Sequence, residues 1–323
     1  MHSVDVIIPA YRPDGTFLEL VTELEKQSYP VSRVIIVNTG EEFFRELTEK
    51  DTDGVLSGYD NITVRHVEKK DFDHGATRNY GVSLSDAEFF LMLTQDAMPR
   101  DRKLISSLVS AMEDDPEAVA AYAKQYPKSD CSLEERYLRK FNYPSTPMRK
   151  TQADLDKLGI KTYFCSNVCA LYRREIFDRL GGFPAPSIFN EDMVFIGNAM
   201  QKGYAVHYVP DAGVIHSHNY TVRQQFKRSF DLGVSQIQHP EIFEGISSES
   251  EGMRMVKETV AHFKSIGKSL AVPHYIIMCG ARFMGYRLGR AYRKLPKALI
   301  YAFTMNRDYW RYAAAVQETR DGS

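Results

Sequence analysis

Short runs of apolar, β-branched residues alternate with helix-like segments through the first 112 residues of the chain. The first three runs are 4–8, 34–37 and 62–67, and apolar residues recur at helical spacing between them, in 14–27 and 41–49. Strands separated by helices of this length favour βαβ units, which place parallel strands in one sheet. The pattern predicts an α/β fold with a mostly parallel sheet flanked by helices.

A fourth apolar run, 89–93, ends abruptly at Thr94, Gln95 and Asp96, and Pro99 then stops further strand. Open parallel sheets bind their ligands just beyond the carboxyl ends of the strands. A carboxylate there suits a divalent cation that carries phosphate, because Mg²⁺ typically takes one or two protein carboxylates plus phosphate oxygens. The alternative is that Asp96 caps the helix that should begin near Pro99. This stretch alone leaves both interpretations open.

Composition narrows the class of protein. The 323 residues carry a formal net charge of −1 and are 43% hydrophobic, as expected for a globular chain of one large or two smaller domains. The balanced charge disfavours a nucleic-acid binder. There is no Walker A sequence and no Gly-x-Gly-x-x-Gly after the first run. With no signal-like start and no uninterrupted apolar span, the sequence predicts a cytoplasmic protein.

The rest of the chain continues the alternation. Strands are predicted at 118–126, 163–172, 205–209 and 213–218, and helices at 75–84, 103–112, 173–180, 190–201 and 221–232. The polar, proline-containing segment 127–161 is interpreted as a lid or connecting segment. From about residue 253 to about residue 315 the chain is predicted to be mostly helical.

Charged residues crowd into 70–79, ahead of a predicted helix. A helix N-terminus with free N–H groups and a nearby arginine suits a phosphate or a ribose hydroxyl. Asp73, His74 and Arg78 are therefore candidate binding residues. In the alternative interpretation the segment is a charged loop in which Asp73 only caps the helix. That alternative does not account for Arg78, because a cation in the first turns opposes the helix dipole.

Two further motifs place ionisable groups at the ends of predicted elements. Glu191 and Asp192 begin the helix at 190–201, where Asn190 is the expected N-cap, and a base for an alcohol would lie at such a position. Two carboxylates this close should raise the pKa of one of them. His216 and His218 alternate in a predicted strand and so share a face. Neutral imidazole binds Mn²⁺ as well as Zn²⁺ and could complete a coordination begun by Asp96.

Together these motifs resemble those of the family 2 glycosyltransferases of the GT-A fold, from about residue 3 to about residue 235. Pro9-Ala10-Tyr11 is similar to the nucleotide loop after the first strand, and Asn38 stands where many members carry an Asp that contacts the nucleoside. Thr94-Gln95-Asp96 is similar to the metal-binding Asp-x-Asp motif, with Thr94 in place of the first Asp. Glu191-Asp192 resembles the pair that supplies the catalytic base, usually the second acid.

A narrower resemblance is to the bacterial rhamnosyltransferases of this family, which act on dTDP-L-rhamnose. Members typically carry Asp-Phe-Asp-His-Gly-Gly-Thr-Arg-Asn, Thr-Gln-Asp-Ala and His-Ser-His-Asn-Tyr stretches. This chain has 71–79, with Ala76 for the second Gly, then 94–97 and 216–220. Its 308–310 segment also resembles the way those chains end.

The resemblance implies an inverting enzyme that moves L-rhamnose from dTDP-L-rhamnose to a hydroxyl of a growing, lipid-linked cell-surface polysaccharide. It implies a GT-A catalytic domain at 1–240, with a nucleotide-sugar half at about 1–125 and an acceptor half at about 126–240, and a helical C-terminal region at 241–323. The implied site residues are catalytic Asp192 and Glu191; donor-binding Pro9, Ala10, Tyr11, Asn38, Asp73, His74, Arg78, Gln95 and Asp96; and Asp96 and His216 as ligands of Mg²⁺ or Mn²⁺. His218 and Arg223 are candidates for binding the acceptor or the diphosphate.

The C-terminal third is basic and aromatic. From Arg282 to Arg311 it carries eight Lys or Arg against one acid, Asp308. Such a stretch can lie in an anionic membrane interface, which predicts peripheral contact with the inner face of the plasma membrane. The alternative is that these helices pack on the catalytic domain with a solvated basic face. Two other functions stay open: a nucleotidyltransferase, although 10–17 lacks its Gly-rich phosphate loop, and an inactive sugar-nucleotide-binding subunit.

Overall fold

The structure of the chain, a computed structural model, describes residues 1–246 and 249–311. One sheet of nine strands, β1 to β9, forms its centre: Val4–Tyr11, Arg33–Thr39, Ile62–Val67, Phe89–Leu93, Met98–Pro99, Ala118–Tyr126, Met148–Lys150, Cys169–Arg173 and Ala205–Ile215. The strands lie in the order β3-β2-β1-β4-β8-β6-β9-β5, with β7 also beside β9.

Helices cover both faces of the sheet and form the C-terminal region. In chain order, α1 to α13 are Gly15–Glu25, Glu41–Lys50, His74–Ser83, Leu104–Glu113, Leu133–Asn142, Leu155–Leu158, Arg174–Arg179, Glu191–Gln201, Val222–Gln238, Pro240–Phe243, Glu249–Ser265, Val272–Arg290 and Lys297–Phe303. The predicted α/β class, with flanking helices and a helical C-terminal region, is confirmed.

Strands β3, β2, β1 and β4 run parallel, as their alternation with helices predicted. Their carboxyl ends therefore meet at one edge. Side chains of β1 alternate between the two faces, so Val6 and Ile8 pack with α1 and α4, whereas Ile7 packs in the apolar layer that contains α3 and α8. Beyond β4 the sheet is mixed, because β8 pairs antiparallel with both β4 and β6.

Three predicted elements differ from the structure. The 163–172 run becomes a strand only at Cys169, because Asn167 leaves the sheet to bond α8. The two strands predicted at 205–209 and 213–218 are one, Ala205–Ile215, with a shift in its pairing to β6. The 127–161 segment holds α5 and β7, and β7 pairs with β9, so part of it belongs to the sheet.

Helix α12 packs on α9 almost backbone to backbone. A Cβ added at Gly285 would lie 2.2 Å from the carbonyl oxygen of Phe226, and one at Gly289 would lie 2.0 Å from that of Phe230. The opposite face of α12 exposes apolar side chains, among them Ile277 and Phe283. Among the described residues, no helix is long and apolar enough to cross a membrane.

Candidate active site

Asp96, His216 and His218 form a cluster of potential metal ligands at the ends of β4 and β9. Oδ1 of Asp96 lies 3.5 Å from His216 Nε2, and Oδ2 lies 3.4 Å from His218 Nε2. One candidate ligand atom from each residue lies within 4.8 Å of the others. Helix α4 begins only at Leu104, so the interpretation of Asp96 as its cap is wrong. The structure adds His218 as a third candidate to the predicted metal ligands, Asp96 and His216.

Gln125, at the end of β6, orients His216. Its Oε1 lies 3.1 Å from His216 Nδ1, and its Nε2 donates to Ser166 Oγ over 2.9 Å. A His216 that donates from Nδ1 keeps the lone pair of Nε2 for a metal. Burial lowers the pKa of His216 to about 3, so the imidazole is neutral. The sequence prediction missed Gln125, although it carries the same signal as Asp96, a polar residue at the carboxyl end of a strand.

Glu191 is buried where α8, α3 and the loop before β8 meet. Its Oε1 lies 3.2 Å from Arg78 Nε and accepts a hydrogen bond from Asn167 Nδ2 over 3.0 Å. Burial alone would raise the pKa of Glu191, but the charge of Arg78 and the Asn167 hydrogen bond hold it below its ordinary value. The ionised carboxylate therefore joins α3 to α8.

Asp192 lies half-buried beside this ion pair. Its Oδ2 accepts from the backbone N–H of Asn167 over 3.0 Å, and its Oδ1 accepts from that of Met193 over 2.8 Å. Burial and the adjacent Glu191 raise the pKa of Asp192 to about 7. The expected separation of the two carboxyl pKa values is present, and a pKa near neutrality suits a general base. Asn167 was missed; the polar Ser166-Asn167 pair inside an apolar run was its only signal.

Asn190 occupies the position before α8, as predicted, but its side chain does not cap the helix. Its φ of 61° is in the left-handed region, which asparagine tolerates better than most residues. Its Nδ2 is buried without a hydrogen-bond partner among residues 1–246 and 249–311. Buried amides are usually paired, so this donor is an exception beside Glu191.

Asp73 holds α3 against the loop that leads into α8. Its Oδ1 accepts from the N–H groups of Gly75 and Ala76, at 3.0 and 2.8 Å, and its Oδ2 accepts from that of Ser187 at 2.7 Å. The side chain is fully buried. The helix-cap interpretation is therefore correct, because Oδ1 accepts from the first N–H groups of α3. The donor-binding role predicted for Asp73 stays a prediction. The neighbouring His74 is neutral, since burial lowers its pKa to about 4.

Gln95, just after β4, is joined to the end of β1 by two hydrogen bonds. Its Oε1 accepts from the N–H of Tyr11 over 2.7 Å, and its Nε2 donates to the Tyr11 carbonyl over 3.0 Å. The 9–11 segment is strand and not loop, so Ala10 is only 3% exposed, and Asn38 in β2 is 0% exposed. Both side chains are thus covered by protein, and the donor-binding roles predicted for Ala10 and Asn38 stay predictions. Asn38 donates to the Gly40 carbonyl over 2.8 Å and so holds the turn after β2.

A cleft of about 570 Å³ opens against this edge of the sheet. Tyr11, Thr39 and His74 line one side, and Arg228 of α9 lines another together with residues near the end of the described chain. Pro9 is half-buried in β1, and Arg223 is exposed in the first turn of α9. The roles predicted for Pro9, Tyr11 and Arg223 stay predictions.

The structure brings a cleft, a pair of acids at a helix start and an Asp-His-His cluster to one edge of the sheet, which is the arrangement expected of a GT-A glycosyltransferase. The chain belongs to the glycosyl transferase family 2, which matches residues 5–181. It is therefore a glycosyltransferase, as predicted, and membership of this family disfavours a nucleotidyltransferase.

Two relatives extend the likeness over nearly the whole chain. The chain is 35% identical over 309 residues to "O-antigen chain rhamnosyltransferase RfbN" of Salmonella typhimurium, which covers 95% of this chain and 96% of the relative. It is 34% identical over 314 residues to "O-antigen chain rhamnosyltransferase WbaN" of Salmonella anatum, at 96% of each.

Solved structures share the fold at low identity. A mannosyltransferase, PcManGT, from Pyrobaculum calidifontis, solved with GDP-Man and Mn²⁺, matches with a TM-score of 0.55 and 18% identity, over 100% of this chain and 88% of that one. S. aureus TarS 1-349 matches with a TM-score of 0.52 and 15% identity, over 90% and 91%. The predicted GT-A fold is confirmed.

The buried pair of Arg78 and Glu191 gives a stability prediction. In Arg78→Ala, Glu191 loses its cation, and an unpaired buried charge of this kind costs about 3–5 kcal/mol of unfolding free energy. A carboxyl with a depressed folded pKa stabilises above its unfolded pKa and loses that contribution as the pH falls through the folded value. The deficit of Arg78→Ala, measured by urea denaturation, should therefore be full at neutral pH and shrink in acid.

Two further variants control this measurement. Arg45→Ala removes an exposed arginine from α2 and should change the unfolding free energy by less than about 0.5 kcal/mol. The double variant Arg78→Ala/Glu191→Gln should regain part of the loss, because no unpaired charge remains. Equal stability of Arg78→Ala and Arg45→Ala at neutral pH would contradict the assignment of the pair as ionised.

Proposed function

We propose that this glycosyltransferase moves L-rhamnose from dTDP-L-rhamnose to a hydroxyl of a growing, lipid-linked polysaccharide of the O-antigen type, with inversion at the anomeric carbon. One observation carries the proposal: hydrogen bonds to two consecutive residues, Ser166 and Asn167, connect the candidate metal ligands to the candidate base. The connection runs from His216 through Gln125 to Ser166, and the next residue, Asn167, bonds Asp192. The names of two relatives that match 95% or more of the chain support the donor sugar.

Asp192 is the proposed general base. Its carboxylate accepts the proton of the acceptor hydroxyl while that oxygen bonds to the anomeric carbon, and the bond from this carbon to the diphosphate oxygen breaks. The backbone N–H groups of Asn167 and Met193 fix the orientation of the carboxylate and leave a lone pair on each oxygen. Its pKa of about 7 makes it a stronger base than an ordinary aspartate. Glu191 positions the start of α8 through Arg78.

The cluster of Asp96, His216 and His218 fits a divalent ion. Two neutral imidazoles and one carboxylate suit Mn²⁺ better than Mg²⁺, because Mg²⁺ prefers oxygen ligands throughout. When bound, the ion would stabilise the negative charge that develops on the departing diphosphate. Gln125 holds His216 in the tautomer that this role requires.

A further positive charge near the leaving group comes from Arg228. Its guanidinium lies 4.5 Å above the ring of Phe189, and the side chain lines the cleft beside His74. Arg78, predicted to help neutralise the diphosphate, is instead committed to Glu191. The geometry therefore favours Arg228 for this role, because oriented cations stabilise developing charge without reorganisation.

The proposed acceptor side lies between His218 and α12. A pocket of about 120 Å³ there is lined by His218, Tyr220, Gln225, Met278 and Arg282, among others. The far face of α12 exposes Ile277 and Phe283, at 59% and 52%, and Leu270 just before it is 97% exposed. The sequence from 259 to 307 contains nine Lys or Arg and no Asp or Glu. We propose that this face rests on the inner leaflet, where a lipid-linked acceptor would reach the pocket.

Asp192→Asn tests the base. The variant should lose transfer almost completely, since an amide cannot accept the proton, while its affinity for dTDP with Mn²⁺ stays as in the wild type. In the wild type the transfer rate should rise about tenfold per pH unit below pH 7 and level off above it, because the base must be ionised. Near-normal turnover by Asp192→Asn, measured with purified donor and acceptor, would rule out this assignment.

His218→Ala tests the metal cluster and the donor together. For the wild type, thermal shifts with nucleotide sugars and Mn²⁺ should show the largest stabilisation with dTDP-L-rhamnose. His218→Ala should lose affinity for Mn²⁺, measured with dTDP, on the order of 100-fold. His274→Ala, an exposed histidine of α12, is the matched control and should bind as the wild type does. Larger stabilisation by a UDP or GDP sugar would contradict the assignment of dTDP-L-rhamnose as the donor. Unchanged Mn²⁺ affinity in His218→Ala would contradict the proposed metal site.

Phe283→Glu tests the membrane face. Flotation with vesicles should show binding that requires anionic lipid and falls at high salt, and Phe283→Glu should reduce it several-fold because it places a charge in the apolar face. Tyr80→Glu changes an exposed aromatic residue of α3 in the same way and should float like the wild type. Binding that is independent of anionic lipid, or equal in the two variants, would contradict the proposed contact.

A further inference from the structure

The segment that follows α13 returns from the C-terminal helices to the donor side of the molecule. Asp231 of α9 receives it: Thr304 Oγ1 donates to Asp231 Oδ1 over 2.6 Å, and the Met305 N–H donates to Oδ2 over 2.8 Å. Lys227, one turn earlier in α9, donates to the Thr304 carbonyl over 3.2 Å. Both Thr304 and Asp231 are buried. The position of the segment is therefore fixed by side chains of α9 that bond its backbone.

A second anchor follows five residues later. Tyr309 is 3% exposed, packs in an apolar cluster with Ile188 and Phe230, and donates from its hydroxyl to Gln238 Oε1 over 3.1 Å. Ile188 belongs to the loop that leads into Glu191 and Asp192. The two anchors hold the intervening residues against that loop, at the rim of the cleft.

Between the anchors the chain presents Arg307 to the cleft. Its Nε donates to the Tyr301 carbonyl over 3.0 Å. Across residues 1–246 and 249–311, its two terminal nitrogens have no hydrogen-bond partner. The neighbouring acid, Asp308, lies 4.0 Å from Lys69 and 3.3 Å from Arg311, so its charge is shared by those two cations. The other acid that lines the cleft, Asp231, is engaged by the backbone of the segment.

The cleft is therefore cationic where this segment forms its wall. Lys69, Arg228, Arg307 and Arg311 line it, against the two engaged carboxylates. A guanidinium with free donors at the mouth of such a cleft suits a phosphate group. The exposed ring of Tyr11 and the half-buried ring of Phe72 line the same cleft, which gives it an apolar part as well.

We infer that residues 304–311 form a wall of the donor cleft and that Arg307 binds the diphosphate of the nucleotide sugar. The inference rests on the proposed function in that it takes a nucleotide sugar as the donor, but it does not depend on which base or sugar is present. It gives residues 304–311 a part in donor binding, in addition to the residues proposed from the N-terminal half.

Isothermal titration of Arg307→Ala with dTDP, and separately with thymidine, tests the inference in the presence of Mn²⁺. The variant should bind dTDP about tenfold more weakly than the wild type, as expected for a lost charge-assisted hydrogen bond, and should bind thymidine equally well. Lys297→Ala, an exposed cation of α13 outside the cleft, is the control and should match the wild type for both ligands.

A parallel titration with UDP and GDP separates this inference from the proposed function. If the wild type prefers UDP or GDP and Arg307→Ala weakens that nucleotide about tenfold, the wall is supported and the dTDP assignment fails. If the wild type binds dTDP and Arg307→Ala binds it equally well, the inference fails and the proposed function stands. An equal loss for dTDP and thymidine would also overturn it, because the effect would not reside in the phosphates.

Discussion

The buried contact between Arg78 and Glu191 is the interaction on which the site depends. It joins α3, which lies between β3 and β4 in the chain, to α8, which carries the paired acids. Ion pairs of this kind contribute little net stability, since desolvation offsets most of the attraction. Their value lies in geometry: a Glu191 that must reach both Arg78 and Asn167 leaves α8 only one position against the sheet.

The same contact explains why two adjacent carboxyls behave differently. Glu191 has a cation and a side-chain amide, and so its pKa lies below the ordinary value. Asp192 has only backbone N–H groups and a charged neighbour, and so its pKa rises. Two adjacent carboxyl groups thus differ in pKa, because the partners of each differ, and the raised pKa of Asp192 suits the base proposed above.

Local patterns in the sequence predicted the strands, the helices and most chemistry-bearing residues. Asp96, Glu191-Asp192 and His216 all stand at the end or start of an element, where a change from apolar to polar residues is readable. Gln125 and Asn167 were missed because their roles arise from contacts with His216 and Asp192, 91 and 25 residues away. The burial of Ala10 and Asn38 was not predicted, because β1 and β2 extend past the apolar runs and include residues that were expected to lie in loops.

The arrangement at the end of the chain could not be read from the sequence for a related reason. The basic character of 282–311 was visible, but nothing local indicates that Asp231 would receive Thr304 and Met305. The interpretation that these helices pack on the catalytic domain holds for α12, and membrane contact stays a proposal. Helix α12 does pack on the body of the molecule, through its glycines, and its outer face is still apolar and exposed.

The glycine contacts between α9 and α12 have a mechanical consequence. Side chains usually separate two packed helices. At Gly233, Gly285 and Gly289 there is no side chain, and the backbones of α9 and α12 are in direct contact. A larger residue at any of these glycines would have to separate the two backbones. Since α9 also carries Arg228 and Asp231, the spacing between the two helices also bears on where these cleft residues lie.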